Sequence, residues 1–370
     1  MSQAVPALTL CMITRDEAAR LPTCLASVRG IVDEIIVVDT GSQDATVSIA
    51  KDYGATIHEI NWPNDFSQAR NQGLARASGR WILVLDADEY LPATSAEEIH
   101  RIASGPADHA YGLIQRNALA GGAGHVDVRI VRLFPNCPNV RFERPIHEQI
   151  NTSLERAGIR IIDTDIVFQH TGYMDARVMP EKMARNRVLI EASLEREPDG
   201  DPNLRYFYAS LHFDGGDWDR AAEEYAKCAS QSDGRRRKLA DAARIKQAEC
   251  LVRLARSSEA VALLAGIPAA SGHPLACDLR AKYAADTGNL QEARRWYERL
   301  VGFAETAYLP PVALGPLKIN ALRALAEGWF SCGRKDVAVK LLRLALEVAE
   351  GRQSSGVELN AAYIRAIRPG

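Results

Sequence analysis

The sequence predicts an α/β domain on a mostly parallel sheet, followed by an all-α domain of helical repeats. Three observations carry this. Short apolar runs alternate with amphipathic stretches up to about residue 90. Past residue 200, a Gly followed five residues later by Ala recurs at Gly216, Gly288 and Gly333. The length of 370 residues is too great for one ordinary domain and suits two. The division is expected at 1–195 and 196–370.

Leu8-Thr-Leu-Cys-Met-Ile13 is a β-compatible run, followed by the charged turn Thr14-Arg-Asp-Glu17 and a helical pattern with Leu21, Leu25 and Val28. Ile35-Ile-Val-Val38 is almost wholly β-branched and ends in Asp39-Thr-Gly-Ser42. Ser42 is the expected N-cap of a helix from Ala45 to Tyr53. Ala55–Ile60 reads as a third strand, Asp65–Ala77 as a helix, and Trp81–Leu85 as a fourth strand ending in Asp86-Ala-Asp-Glu89. Continuous apolar strands between amphipathic helices imply a parallel sheet covered on both faces. Ligands of such sheets bind beyond the carboxyl ends of the strands, where Asp39 and Asp86 lie.

After Pro92 the pattern loosens. Ala110–Arg116 and Val128–Phe134 read as strands flanking a Gly121-Gly-Ala-Gly124 hairpin tip, and Ile159–Phe168 as one more. This part is expected to serve the acceptor side. From Pro180 the chain turns helical. Repeat anchors at 216, 256, 288 and 333 are 40, 32 and 45 residues apart, bracketing the ~34-residue tetratricopeptide period. Gly serves the end of one helix and Ala lets the next approach closely. Pro268, Pro274, Pro310, Pro311 and Pro316 fall between units, where helices stop. Trp218, Trp296 and Trp329 read as repeat core, and Arg235-Arg-Arg-Lys238 as a solvated face.

Forty-five Lys and Arg against forty-seven Asp and Glu leave a formal charge of −2, with no global field for nucleic acid or an anionic membrane. Seven scattered cysteines without a CxxC pair read as small buried hydrophobes in a reducing compartment. No run reaches the ~18 apolar residues that cross a bilayer. A cytoplasmic protein is expected.

Asp86 and Asp88 stand one residue apart at a strand end, where both can point to one side. Such a pair suits Mg²⁺ or Mn²⁺ bridging protein and a diphosphate. A solvated loop is the plainer reading of the triplet alone; the buried strand before it and Asp39 upstream favour the functional one. A phosphohydrolase would want its paired Asp after the first strand, not the fourth. A repeat scaffold whose N-terminal domain is degenerate and merely binds is the alternative from another class.

In this order, Leu10-Cys-Met-Ile-Thr-Arg-Asp-Glu17, Val37-Val-Asp-Thr-Gly-Ser-Gln-Asp44, Ala69-Arg-Asn-Gln-Gly73 and Val84-Leu-Asp-Ala-Asp-Glu89 resemble family 2 glycosyltransferases with the GT-A fold. The match is dense over about residues 5–95. Ile146-His-Glu148 and His170-Thr-Gly-Tyr173 are similar to a subgroup in which tetratricopeptide repeats follow the catalytic domain, the sublancin-type peptide S-glycosyltransferases among them. The resemblance implies an inverting, metal-dependent transferase using a nucleotide sugar, UDP-linked, on an acceptor that includes peptide Cys or Ser/Thr. Thr14 to Glu17 would wrap the base, Asp39 would accept its N–H, and Arg70 would lie near the nucleotide. Asp86 would hold the ribose or a metal-bound water, Asp88 the Mn²⁺ or Mg²⁺, with His170 completing its shell. Where the family places its catalytic Asp, this chain has Pro145-Ile-His-Glu148. Glu148 is the first candidate for the base and His147 the second; Asp127 and Glu143 follow. Asn71 reads as a packing residue. The repeats would help hold a peptide or protein acceptor, and a homodimer is compatible with the sequence.

Overall fold

The computed structural model describes residues 7–118, 125–171, 179–197, 201–232, 234–267, 272–304, 306–351 and 356–367. Gly121 to Gly124, Gly172, Tyr173 and Pro268 lie outside the described residues. Two compact units are present, one of Met1–Ala118 with Val128–Ser193 and one containing Leu194–Gly370.

In the first unit the chain runs β1 (Leu8–Thr14), α1 (Leu21–Ser27), β2 (Glu34–Asp39), α2 (Thr46–Asp52), β3 (Thr56–Glu59), α3 (Phe66–Leu74) and β4 (Trp81–Val84). It continues through β5 (Glu89–Tyr90), α4 (Ala93–Ala103), β6 (His109–Ala118), β7 (His125–Pro135), α5 (Asn151–Arg156), β8 (Arg160–His170) and α6 (Met179–Arg196). The strands form one sheet in the order β3-β2-β1-β4-β7-β6-β8-β5. β1 to β4 are parallel, as expected of apolar runs joined by helices. Beyond them the sheet is mixed: β4 meets β7 antiparallel, β8 runs parallel to β6 and antiparallel to β5.

Both faces of the sheet are covered. Trp81 and Leu83 of β4 pack with Leu8, Leu10 and Met12 and with α1 and α4, while Ile82 and Val84 pack with Leu74, Phe134, Phe142 and Leu154 on the other face. Each such side chain contributes ~1.5–3 kcal/mol on burial, which is why four residues suffice for this strand. Asp65 caps α3 by accepting the Gln68 N–H at 3.0 Å. Ser42 does not cap α2: Asp44 takes the Thr46 N–H at 2.9 Å, and the Ser42 hydroxyl turns to Asp39 instead.

The second unit is helical: α7 (Pro202–Asp214), α8 (Trp218–Gln231), α9 (Arg237–Arg253), α10 (Ser257–Ala265), α11 (Pro274–Asp286), α12 (Leu290–Val301), α13 (Leu314–Ser331), α14 (Lys335–Ala349) and α15 (Gly356–Ile367). Gly216, Gly288 and Gly333 join the helices of three hairpins at φ of +80°, +79° and +80°, and Ala255 takes the same left-handed place in the second hairpin at +59°. Glycine adopts this conformation without steric cost, so the hairpin with Ala255 in that place is the strained one. Ala221, Ala260, Ala293 and Ala338 are buried at the close approaches. Pro274 and Pro316 stand inside the first turns of α11 and α13 and not between helices, positions where no N–H is needed. Trp218, Trp296 and Trp329 are only partly buried, each under a guanidinium, from Arg253, Arg280 and Arg294 respectively.

Candidate active site

The parallel strands β1, β2 and β4 deliver their carboxyl ends to one edge, with Thr14 opposite Asp39 in register. The buried Asp39 organises the loop after β2. One of its oxygens accepts the Gly41 and Ser42 N–H groups at 3.0 and 2.9 Å, the other the Ser42 hydroxyl at 2.5 Å and the Thr14 hydroxyl at 3.3 Å. All four lone-pair directions are used, so a nucleobase N–H would enter by turning a hydroxyl aside. Glu17 lies on the neighbouring loop, its N–H on the Thr46 hydroxyl and its carboxylate on Arg20.

Arg70 is not a surface residue. It is buried on α3 with Nε on Glu148 Oε1 at 2.5 Å and Nη2 on Asp86 Oδ1 at 2.8 Å, over the Phe142 ring. Its Nη1 is buried without an acceptor. Arg132 of β7 approaches Asp86 from the other side, Nη2 standing 3.0 Å from Oδ2 and 2.8 Å from Glu89 Oε1. Burial would raise the Asp86 carboxyl, but Arg70 and Arg132 outweigh it and hold the group well below the usual carboxylate range.

Glu148 sits in a tight loop that Glu143 and Gln149 close with two backbone hydrogen bonds of 2.9 and 3.1 Å. It precedes α5, which starts only at Asn151. Asn71 ties the loop to α3 by bonding both backbone groups of Phe142 at 2.9 Å, and Phe66 donates its N–H to Pro145 at 2.8 Å. Arg144 and His147 both adopt left-handed backbone, at φ of +84° and +49°. Two such residues in four store strain that the surrounding bonds must hold. Burial, with Arg144 second, pushes the His147 imidazole down to about 4, well below the value near 6.5 that would suit a base at neutral pH. Glu143 forms an ion pair with Arg156, and the buried Asp127 lies 3.7 Å from His125.

The His147 shift has a sign that can be checked. As pH falls from 6.5 to 4, the unfolded chain gains a proton that the folded imidazole refuses, so the native state loses stability across that window. His147→Asn, which tolerates the left-handed backbone, should shrink the drop in urea midpoint between pH 7 and pH 4.5. An unchanged drop refutes the assignment; His273, also lowered by burial to about 4, is common to both proteins.

Asp88 and His170 face each other at 3.4 Å, Oδ2 to Nε2. The other ring nitrogen of His170 lies 2.6 Å from Asn117 Oδ1, its register partner across β6 and β8, which fixes the ring. Burial would lower the imidazole, yet Asp88, Glu89 and Asp86 together raise it. A carboxylate oxygen beside an oriented imidazole nitrogen suits Mn²⁺ or Mg²⁺ shared with phosphate oxygens. Among the described residues no three His, Cys, Asp or Glu side chains form a set that could hold a metal ion. The structure thus joins Arg70, Asp86 and Glu148 in one chain of ion pairs and Asp88 with His170 in another, while Thr14 and Asp39 meet at the ends of β1 and β2. Sequence reasoning missed Glu89, Gln115, Asn117 and Arg132. An Arg inside the apolar run Ile130-Val-Arg-Leu-Phe134 was the available signal. The buried cysteines are inert, Cys11 being pushed up to about 12 by burial.

Residues 9–166 match the family model described as Glycosyl transferase family 2. A TPR repeat-containing protein of Synechococcus elongatus is 41% identical over 206 residues, 54% of this chain and 51% of that one. The SPbeta prophage-derived glycosyltransferase SunS of Bacillus subtilis is 30% identical over 225 residues, 60% of this chain and 53% of the relative. This chain spans about half the length of these relatives. Among solved structures, the mannosyltransferase PcManGT of Pyrobaculum calidifontis aligns at 18% identity and a TM-score of 0.39, over 80% of this chain and 84% of that chain. No described helix is long and apolar enough to cross a membrane.

Proposed function

We propose that this chain, whose residues 9–166 match the Glycosyl transferase family 2 model, is an inverting, metal-dependent transferase that moves a sugar from a UDP-sugar to a Cys or Ser/Thr side chain of a peptide or protein. The observation that carries the reading is the convergence of Asp86, Arg70 and Glu148 at one strand edge, beside the facing pair Asp88 and His170. Asp39 and Thr14 would receive the base, with the Ser42 hydroxyl rotating away, and Asp86 the ribose. A divalent ion held by Asp88 and His170 would offset the charge gathering on the departing diphosphate. Glu148 would take the proton of the acceptor thiol or hydroxyl as that atom bonds to the anomeric carbon, the diphosphate leaving with the electron pair. We assign catalysis to residues 1–195 and part of acceptor binding to the helical residues 196–370, since stacked hairpins present long surfaces to extended peptides. Five buried cysteines without a disulfide fit the cytoplasm, although Cys137 is half-buried and Cys332 exposed, against the expectation that all seven are buried.

Titrating UDP-sugars in calorimetry with and without Mn²⁺, then screening them for slow hydrolysis, tests the proposal. Mn²⁺-dependent UDP binding with release of free sugar is the expected result. Absence of any nucleotide binding would instead favour a scaffold with a lapsed donor site.

A further inference from the structure

We infer that Arg132 and Glu89 are positioning residues that hold Asp86 in one orientation and the Asp86–Glu89 turn in one shape; this rests on the donor-site reading above. Glu89 is buried completely, at 1% exposure. Its Oε2 accepts the Asp86 N–H at 2.8 Å, and its own N–H donates to the Asp86 carbonyl at 3.0 Å, so the turn is closed twice. Its Oε1 accepts from Gln115 at 2.6 Å and from Arg132 at 2.8 Å. The same Glu89 pairs with His170 across β5 and β8, and Thr171 donates both its N–H and its hydroxyl to the Asp88 carbonyl at 3.0 and 2.9 Å. Both halves of the turn are therefore fastened to β8, which ends in His170.

Arg132 is the only one of these groups to reach the part-exposed Asp86 carboxylate. Its Nη2 serves Asp86 Oδ2 and Glu89 Oε1 at once, while Arg70 holds Oδ1 from the opposite side. With one guanidinium on each oxygen the carboxylate cannot rotate. The arrangement is not tuned to satisfy Arg132 itself, since its Nε is buried without an acceptor and the guanidinium rests on the Phe168 ring at 5.7 Å. An apolar trio of similar volume would pack there without desolvating charges, so stability alone does not account for the choice. Fixing a carboxylate that must meet a sugar hydroxyl or a metal-bound water does.

The test compares the full chain with Arg132→Met, Arg132→Lys and Glu89→Gln in three measurements: Mn²⁺-dependent UDP affinity by calorimetry, KM and kcat for UDP-sugar hydrolysis, and thermal melting of the nucleotide-free protein. Arg132→Met should weaken UDP affinity and raise KM about tenfold or more, within the range found for residues that orient ligating groups. Arg132→Lys should recover part of the loss, because one ammonium can still meet Asp86. Glu89→Gln keeps an acceptor for the Asp86 N–H and should shift KM in the same direction; it decides the matter if Arg132→Met does not fold. A folded Arg132→Met protein with wild-type KM and UDP affinity overturns the inference, as does Arg132→Lys no better than Met. A merely structural Arg132 would lower the melting temperature and leave KM alone. If the wild-type chain binds no UDP with Mn²⁺, the donor-site reading falls and this inference with it.

Discussion

Asp88→Asn should abolish Mn²⁺-dependent UDP binding while leaving the folded chain intact. The substitution keeps the side chain's size and removes one negative charge and one oxygen ligand. The turn itself should survive, because it is closed through the Glu89 carboxylate and the Asp86 backbone, and Thr171 bonds the Asp88 carbonyl, not its side chain. The Asp88 carboxylate faces the His170 imidazole at 3.4 Å. Its loss also withdraws one of the charges that raise that histidine. A fall in affinity on the order of 10²-fold or more, about 2.7 kcal/mol, is expected. Calorimetry with Mn²⁺ present and absent reads it directly; an unchanged difference between the two titrations would remove Asp88 from the metal site.

Glu148→Gln should lower transfer by on the order of 10²–10⁴ with nucleotide-sugar affinity near wild type. The Arg70 guanidinium keeps the Glu148 carboxylate aligned at 2.5 Å, and Gln can keep one hydrogen bond there, so affinity serves as the control for collateral damage. If Glu148 is the base, His147→Ala should be milder, acting only through the shape of the left-handed loop that His147 occupies. A thiol near pH 8 is already partly ionised, so the effect should be smaller on a Cys acceptor than on a matched Ser acceptor. A larger loss for His147→Ala would make His147 the base, whereas equal rates for Glu148→Gln, His147→Ala and wild type on Ser would move the base to Asp127 or Glu143. Of these, Glu143 already carries an ion pair to Arg156.

What the sequence disclosed and what it hid follow from range. The strands from Leu8 to Val84 and the helices between them were legible because each signal lies within its own ten residues: β-branched runs, Asp65 before its helix, glycine before its turn. The Asp86-Ala-Asp triplet was legible for the same reason. Glu89–Tyr90 was not, since a two-residue strand has no period and exists only because β8, some eighty residues later, offers it a partner. The partners of Arg70 were hidden for a related reason. Asp86 and Glu148 lie 16 and 78 residues away, beyond the reach of any helical spacing. The switch from parallel to mixed sheet also depends on which strand lands beside β4, a choice no local pattern encodes.

That choice has a consequence in time. When β4 has been synthesised, β1, β2 and β3 can already pair, but the other edge of β4 waits for Leu133–Pro135 of β7. About fifty residues separate them, which at 5–20 residues per second is roughly 3–10 s of elongation. Throughout that interval Trp81-Ile-Leu-Val84, the most deeply buried strand of the finished sheet, presents an open apolar edge of unpaired N–H and C=O groups. A nascent chain stalled between residues 85 and 130 should therefore be a chaperone substrate, and slowing the ribosome there would raise the aggregated fraction more than the same delay placed in the helical repeats.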